Sequence, residues 1–328
     1  MANSAAIVTG GCGFLGSHIT ETLLSQGFKV LAVDNFCTGS HSNRDYLKAL
    51  PGASEQLTIV EADVCRPWQE WVPNSFAQAV KGQLKTVFHF ASPASPPHYQ
   101  ALGLETMWVN TRGLAESLAA ADALGGRVVF ASTSEIYGDP EFSPQPESYR
   151  GNVNTWGPRA CYDEAKRFGE SLIYTHNLKH KTQHGLVRIF NTYGPRMNPA
   201  DGRVVINLLL QGLQGEPLTV YGSGKQTRSF CYVDDLVRGI LAFAASGKTG
   251  PINIGNEGEF TILELAEKIQ KLFPEKKLTV QFKELPKDDP TQRRPDITLA
   301  RSELKWEPRI PLEEGLVRML EWLKTAVK

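Results

Sequence analysis

Thr9-Gly10-Gly11-Cys12-Gly13-Phe14-Leu15-Gly16 is the stretch on which the fold turns. It stands between a short apolar run, Ala5–Thr9, and an apolar-periodic segment, Leu15–Gln26. Glycines at 10, 13 and 16 permit a tight strand-to-helix turn and a close approach of backbone to a pyrophosphate. The start of the helix then offers unbonded N–H groups and the positive end of its dipole. A glycine turn alone also has a purely structural reading. The sequel favours a dinucleotide. A second apolar run, Lys29–Val33, is followed by Asp34, 18 residues beyond Gly16, where an acid would bind the adenosine ribose hydroxyls. That carboxylate would repel a 2′-phosphate, and no Arg follows directly, so NAD is expected rather than NADP. The expected cofactor contacts are Gly10, Gly13, Phe14, Leu15, Gly16, Asp34 and Asn35, with Ala91 at a later strand end. Asp63-Val64 suits adenine equally as well as a plain strand-end turn.

Outward from this turn, strand-like runs alternate with helical stretches. Leu57–Val60, Thr86–Ala91 and Arg127–Ser132 read as buried strands, and Ala101–Ala123 as one long helix. A helix is expected from about Pro158 to His180, then a strand at Gly185–Phe190. Strands separated by helices predict an α/β fold, a doubly wound parallel sheet of Rossmann type covered on both faces. The second half changes character. Gly194–Arg203 and Tyr221–Arg228 read as loops, and Thr261-x-x-Glu264 as a capping box. Leu312, Leu316, Leu320, Leu323 and Val327 recur at helical spacing and read as core packing. The expected division is a cofactor domain over 1–190, joined by 229–256. A smaller α/β substrate domain covers 191–328, mainly 191–228 and 257–328.

The chain has 328 residues with 35 Lys+Arg and 35 Asp+Glu, a formal charge of zero. No broad field attracts nucleic acid or an anionic membrane, so neither is an expected partner. Five scattered cysteines, without a C-x-x-C pair, argue against a disulfide framework or structural zinc and suit a reducing compartment. No apolar run reaches membrane-span length and the N-terminus lacks a signal pattern, so a cytoplasmic protein is expected. The seven His show no metal-ligand spacing. His180 and His184 read as a helix end facing water, and no metal is expected.

Tyr162-Asp-Glu-Ala-Lys166 places Tyr and Lys four apart, on one helix face. The ammonium would lower the Tyr pKa and hold the nicotinamide ribose, and the Tyr would accept a hydroxyl proton as hydride leaves. Thr133 lies 29 residues earlier, at a strand's carboxyl end, where ligands bind in open α/β sheets. Arg196, Arg203 and Arg228, in loops of small residues, are candidates for a diphosphate. Each of these signals alone could be a solvated surface.

Taken in order, the G-x-x-G-x-x-G turn, Thr133, Tyr162 and Lys166 resemble the extended short-chain dehydrogenase/reductase family of NAD-dependent epimerases and dehydratases. In Ser132-Thr133-Ser134-Glu135, Ser134 stands where 4,6-dehydratases carry an Asp, and simple 4-epimerases usually lack the glutamate. Thr-Ser-Glu resembles the UDP-glucuronate decarboxylases (UDP-xylose synthases). So do Ser92–Tyr99, Asn191–Met197, Asp201–Val205, Leu218–Arg228 and Asp288–Ile297, and the resemblance spans nearly the whole chain.

It implies a UDP-sugar substrate, decarboxylated through a 4-keto intermediate with recycled NAD. The implied catalytic set is Tyr162, Lys166, Thr133, Ser134, Glu135 and Arg293. Arg293 would face the substrate carboxylate; Glu135 would bind water, position the sugar or move a proton at carbon 5. Ser92, Tyr99, Asn191, Arg196, Arg203, Tyr221 and Arg228 would bind substrate. A homodimer through the two long helices is also implied. Three departures stand out: Arg150 for Trp, Ala165 for Gly, and a longer stretch over Cys65–Gln83, read as a surface insertion. The alternatives are a 4-epimerase or 4,6-dehydratase, or a non-catalytic NAD-sensing protein, against which the intact Tyr–Lys pair speaks.

Overall fold

The computed structural model of the chain describes residues 4–286 and 288–327. The apolar runs form strands β1 (Ala5–Thr9), β2 (Lys29–Asp34), β3 (Leu57–Glu61), β4 (Leu84–His89), β5 (Arg127–Thr133) and β6 (Gly185–Ile189). They pair in parallel in the order β3-β2-β1-β4-β5-β6. A seventh strand, Ile252–Ile254, pairs with β6, so the chain leaves this sheet and returns to it. The order reverses between β1 and β4, the switch point beyond whose carboxyl ends ligands bind. Alternation along β1 explains the unbroken apolar runs. Ala6 and Val8 pack in one buried cluster with Ile19 and Leu23 of helix α1 (Phe14–Ser25). Ala5 and Ile7 pack in the other with Leu114 and Leu118.

Two expectations need correction here. Ala101–Ala123 is not one helix but Gly103–Trp108, a wider π-type turn at Val109–Gly113, and Leu114–Leu124. Apolar periodicity does not register the extra residue of a π turn. The turn leaves the Val109 carbonyl to the Nε2 of buried His89, at 3.0 Å. Cys65–Gln83 is not merely a surface insertion either. It folds as Trp68–Trp71 and Asn74–Val80, and buries Trp71, Val72, Phe76 and Val80 against the sheet.

The second region carries helices Val204–Gln214, Ile262–Gln270 and Leu312–Ala326. The capping box forms: Thr261 Oγ1 accepts from Glu264 N at 3.0 Å, and Glu264 Oε2 from Thr261 N at 2.7 Å. Leu312, Leu316, Leu320 and Leu323 are buried, but Val327, just past the helix end, is exposed. The expected loop Tyr221–Arg228 ends inside a strand, Thr227–Ser229. That strand lies between Glu259–Thr261 and Gln292–Arg293, and sets Arg228 beside Arg293. Among the described residues no helix is long and apolar enough to cross a membrane.

Candidate active site

A cavity of about 890 Å³ runs along the carboxyl ends of the sheet, between the two regions. Its cofactor side is built from backbone. Gly10 has φ +68°, and a Cβ there would come 2.8 Å from Ala91 N and Phe90 O. A Cβ on Gly16 would run into the Gly10 carbonyl, so only glycine lets α1 start against the turn. At the end of β2, Asp34 Oδ2 accepts from Cys12 N and Oδ1 from Phe36 N, both at 2.9 Å. These bonds fix the carboxylate and leave each oxygen a lone pair for a ribose hydroxyl. Burial raises its pKa against the pull of the same N–H groups. A glycine cradle at a helix start with a fixed acid beyond it fits NAD. Asn35, Asp63, Val64 and Ala91 also line this side.

Thr133 ends β5, and helix Ala160–His180 packs against that strand. Lys166 Nζ donates to the Ala131 carbonyl at 2.6 Å and lies 5.6 Å from the Tyr162 ring centroid. Burial lowers the Lys166 pKa to about 7. The expected lowering of the Tyr162 pKa does not hold in this structure. Burial first, and then the Glu135 carboxylate, raise it, while the Thr133 hydroxyl pulls the other way.

The opposite wall is a chain of charges. Glu135 Oε1 accepts from Arg293 Nη1 at 2.5 Å, and its Oε2 accepts from Arg159 Nη2. Arg159 Nη1 faces Asp289 Oδ1 at 3.6 Å, and Asp289 Oδ2 accepts from Arg228 Nη2 at 2.8 Å. Burial opposes ionisation of Glu135, but Arg293 and then Arg159 overcome it and hold its carboxyl well below the usual range. Glu135 is therefore a standing anion. Among the described residues Arg293 Nη2 is buried without a partner.

Neither Arg159 nor Asp289 was singled out from sequence. The missed signal is Arg159 itself. A cation at a helix start opposes the dipole and calls for a nearby acid.

Of the residues expected in the site, Tyr99 alone is not in the cavity wall. It is buried behind Tyr162, with the rings stacked 4.9 Å apart at 10°, so it braces that ring. Arg196 lines the cavity; its Nη2 pairs with Glu21 Oε2 at 2.6 Å, with the guanidinium over Tyr46, and its buried Nη1 has no partner among the described residues. It fastens its loop to α1. Arg203 pairs with Asp201 at 2.5 Å and lies over the Phe14 ring. Ser92 accepts from Asn110 Nδ2 at 2.9 Å, and Ser134, Asn191 and Tyr221 line the cavity. Arg150 is outside its wall, and its carbonyl accepts from Arg167.

His184 does not face water, and the helix ends at His180. His184 and His176 both meet Asp122, at 3.0 and 2.8 Å. Val128 N donates to His184 Nδ1, which places the ring proton on Nε2, toward Asp122. That nitrogen then has no lone pair for a metal.

Comparison with known proteins agrees with this geometry. The chain is 44% identical over 316 residues to UDP-glucuronic acid decarboxylase 1 of Danio rerio, covering 96% of this chain and 72% of that protein. It is 43% identical over 321 residues to UDP-glucuronic acid decarboxylase 5 of Arabidopsis thaliana, covering 98% and 89%. Among solved structures, UDP-glucose 4-epimerase of Thermotoga maritima superposes with a TM-score of 0.86 at 26% identity, covering 99% and 100%. A UDP-glucuronic acid 4-epimerase variant from Bacillus cereus, solved with a fluorinated substrate analogue and NAD, gives 0.83 at 25%, covering 98% and 99%. Residues 6–255, from the first strand through the glycine turn and the Tyr–Lys helix to the returning strand, match one family along their length. The chain belongs to the NAD dependent epimerase/dehydratase family.

Proposed function

We propose that the protein converts UDP-glucuronate to UDP-xylose and CO₂. The observation that carries this reading is Arg293, buried in the cavity wall with Nη1 on Glu135 and Nη2 without an acceptor. A buried, unpaired guanidinium N–H is costly. The carboxylate at carbon 5 of a uronate supplies the missing acceptor, and the hydroxymethyl of a neutral hexose supplies no charge. The relatives named as UDP-glucuronic acid decarboxylases support the same substrate.

NAD, when bound, supplies a reversible hydride acceptor for carbon 4 of the sugar. Tyr162 would take the proton of the 4-hydroxyl as its phenolate, a form that the positive charge of the bound oxidised cofactor and of the Lys166 ammonium would favour, with Thr133 beside it and Lys166 one turn along the helix. The resulting ketone is β to the carboxylate, so departure of CO₂ leaves its electron pair on the ketone oxygen. Donors from Tyr162 and Thr133 stabilise that oxyanion by about 3 kcal/mol each when well placed. Arg293 acts through orientation, because stabilising only the ground-state carboxylate would slow its loss. It holds the breaking bond across the ketone plane. Carbon 5 then takes up a proton, the hydride removed from carbon 4 returns to it, and Tyr162 gives its proton back to the oxygen, which yields UDP-xylose and leaves no net redox change.

The test is incubation of intact, NAD-loaded protein with UDP-glucuronate. CO₂ and UDP-xylose in equal amounts are expected; no CO₂ overturns the reading. A 4-epimeric uronate, or turnover of neutral UDP-hexoses alone, would favour the epimerase alternative.

The domain division is proposed as cofactor 1–190 with 229–256, and substrate 191–228 with 257–328. A homodimer is also proposed. Leu104 and Trp108, on one helix, and Phe168 and Leu178, on the neighbouring one, stand exposed, Leu104 and Leu178 by 66% and 72%. A second copy of the same helices would cover them. Sedimentation at micromolar concentration should show a dimer; monomer alone contradicts it. All five thiols are unpaired, which supports a reducing, cytoplasmic setting.

A further inference from the structure

We infer that Arg159 is a positioning residue for carboxylate recognition: it occupies one oxygen of Glu135 and so keeps Arg293 Nη2 free for the substrate. This rests on the decarboxylase reading above. Arginine and carboxylate readily form a two-pronged pair, both oxygens against both nitrogens. Glu135 instead gives Oε1 to Arg293 and Oε2 to Arg159. Remove Arg159, and Oε2 is free to close on Arg293 Nη2, filling the place meant for the substrate.

The charge count supports this. Arg159, Arg228 and Arg293 share two carboxylates, Glu135 and Asp289, leaving one positive charge in excess. Asp163 does not cancel it. Burial and the nearby Glu135 anion push its pKa well up, keeping the carboxyl neutral, and its Oδ1 has no partner. A uronate carboxylate completes the balance, and a neutral sugar does not. Arg159 also couples this charge to the base. It caps the helix that carries Tyr162, its carbonyl accepts from Tyr162 N at 3.0 Å, and its guanidinium lies 5.9 Å from the centre of the Tyr99 ring that braces Tyr162.

The test compares wild type with Arg159→Met and Arg159→Lys. Calorimetry on the NADH-loaded forms, in which carbon 4 of the sugar cannot be oxidised, gives the dissociation constants of UDP-glucuronate and UDP-xylose, which differ by the carboxylate. Wild type should prefer UDP-glucuronate by roughly ten- to a hundredfold. In Arg159→Met that ratio should fall toward one while UDP-xylose affinity stays within about threefold, and Arg159→Lys should recover part of it. The KM of Arg159→Met for UDP-glucuronate should rise by about the factor lost from that ratio, with kcat changed less, because Glu135 stays paired with Arg293. A wild-type ratio and a wild-type KM in Arg159→Met would overturn the inference. Should that variant fail to bind UDP-xylose, the same two readings on Arg159→Gln decide it. Wild type that binds UDP-glucuronate but releases no CO₂ would instead overturn the functional reading.

Discussion

The two walls of the cavity are made of different material. The cofactor wall is backbone: the glycine turn, the start of α1, and Asp34, which is held by two N–H groups. The substrate wall is side-chain charge, three guanidiniums and two carboxylates drawn from a short turn after β5, a helix start, two strands and the loop that leads into the second of them. A backbone cradle is local in sequence and tolerates few side chains. A charge network is assembled from far along the chain and depends on every member having its partner. Changes should therefore separate the walls: one loses cofactor, the other loses discrimination between substrates.

The sharpest break is Gly16→Val. Its Cβ meets the Gly10 carbonyl, so the turn must open. NAD affinity should drop at least about a hundredfold and turnover with it, measured by fluorescence titration. UDP-xylose binding by the folded variant should change little. The counterpart is Arg228→Met, which leaves Asp289 with Arg159 alone. UDP-sugar affinity should fall roughly tenfold, with NAD affinity unchanged. Equal loss of both ligands in either variant would break the division.

A smaller effect is read as stability against pH. The Asp163 carboxyl has its pKa raised by burial and by Glu135. Below the unfolded value of about 4 both states hold the proton. Above it the unfolded chain releases the proton and the folded one keeps it, so stability falls as pH rises toward the folded value. Asp163→Asn removes that loss. Its unfolding midpoint should gain on wild type from about pH 5 to about pH 7. A difference that stays flat with pH would contradict the neutral carboxyl. The smallest effect lies away from both walls. Thr261→Ala removes a capping box and should cost about 1 kcal/mol by denaturant unfolding, with both ligands still bound.

The same contrast explains what the sequence made legible. The glycine turn, Asp34, the capping box and the Tyr–Lys pair are each written within a few residues, and each stands where its spacing predicts. The charged wall is not written locally. Glu135 and Arg293 are 158 residues apart, and Arg228 meets Asp289 across 61. Resemblance supplied Arg293, but the partners that fix it, Arg159 and Asp289, follow only from the fold. Tyr99 was misplaced because an aromatic in a substrate loop reads alike whether it faces the cavity or braces its neighbour. The broken helix was missed because a π turn keeps the apolar pattern on both sides.

The central claim is that a family fold built for NAD here serves a carboxylate-selecting wall. The most direct measurement is mass-resolved product analysis of UDP-glucuronate deuterated at carbon 4, turned over by the NAD-loaded protein in ordinary water. The account predicts UDP-xylose that keeps the deuterium at carbon 4, with one CO₂ per sugar. A uronate of unchanged mass, or release of CO₂ with the deuterium lost to solvent, would contradict it.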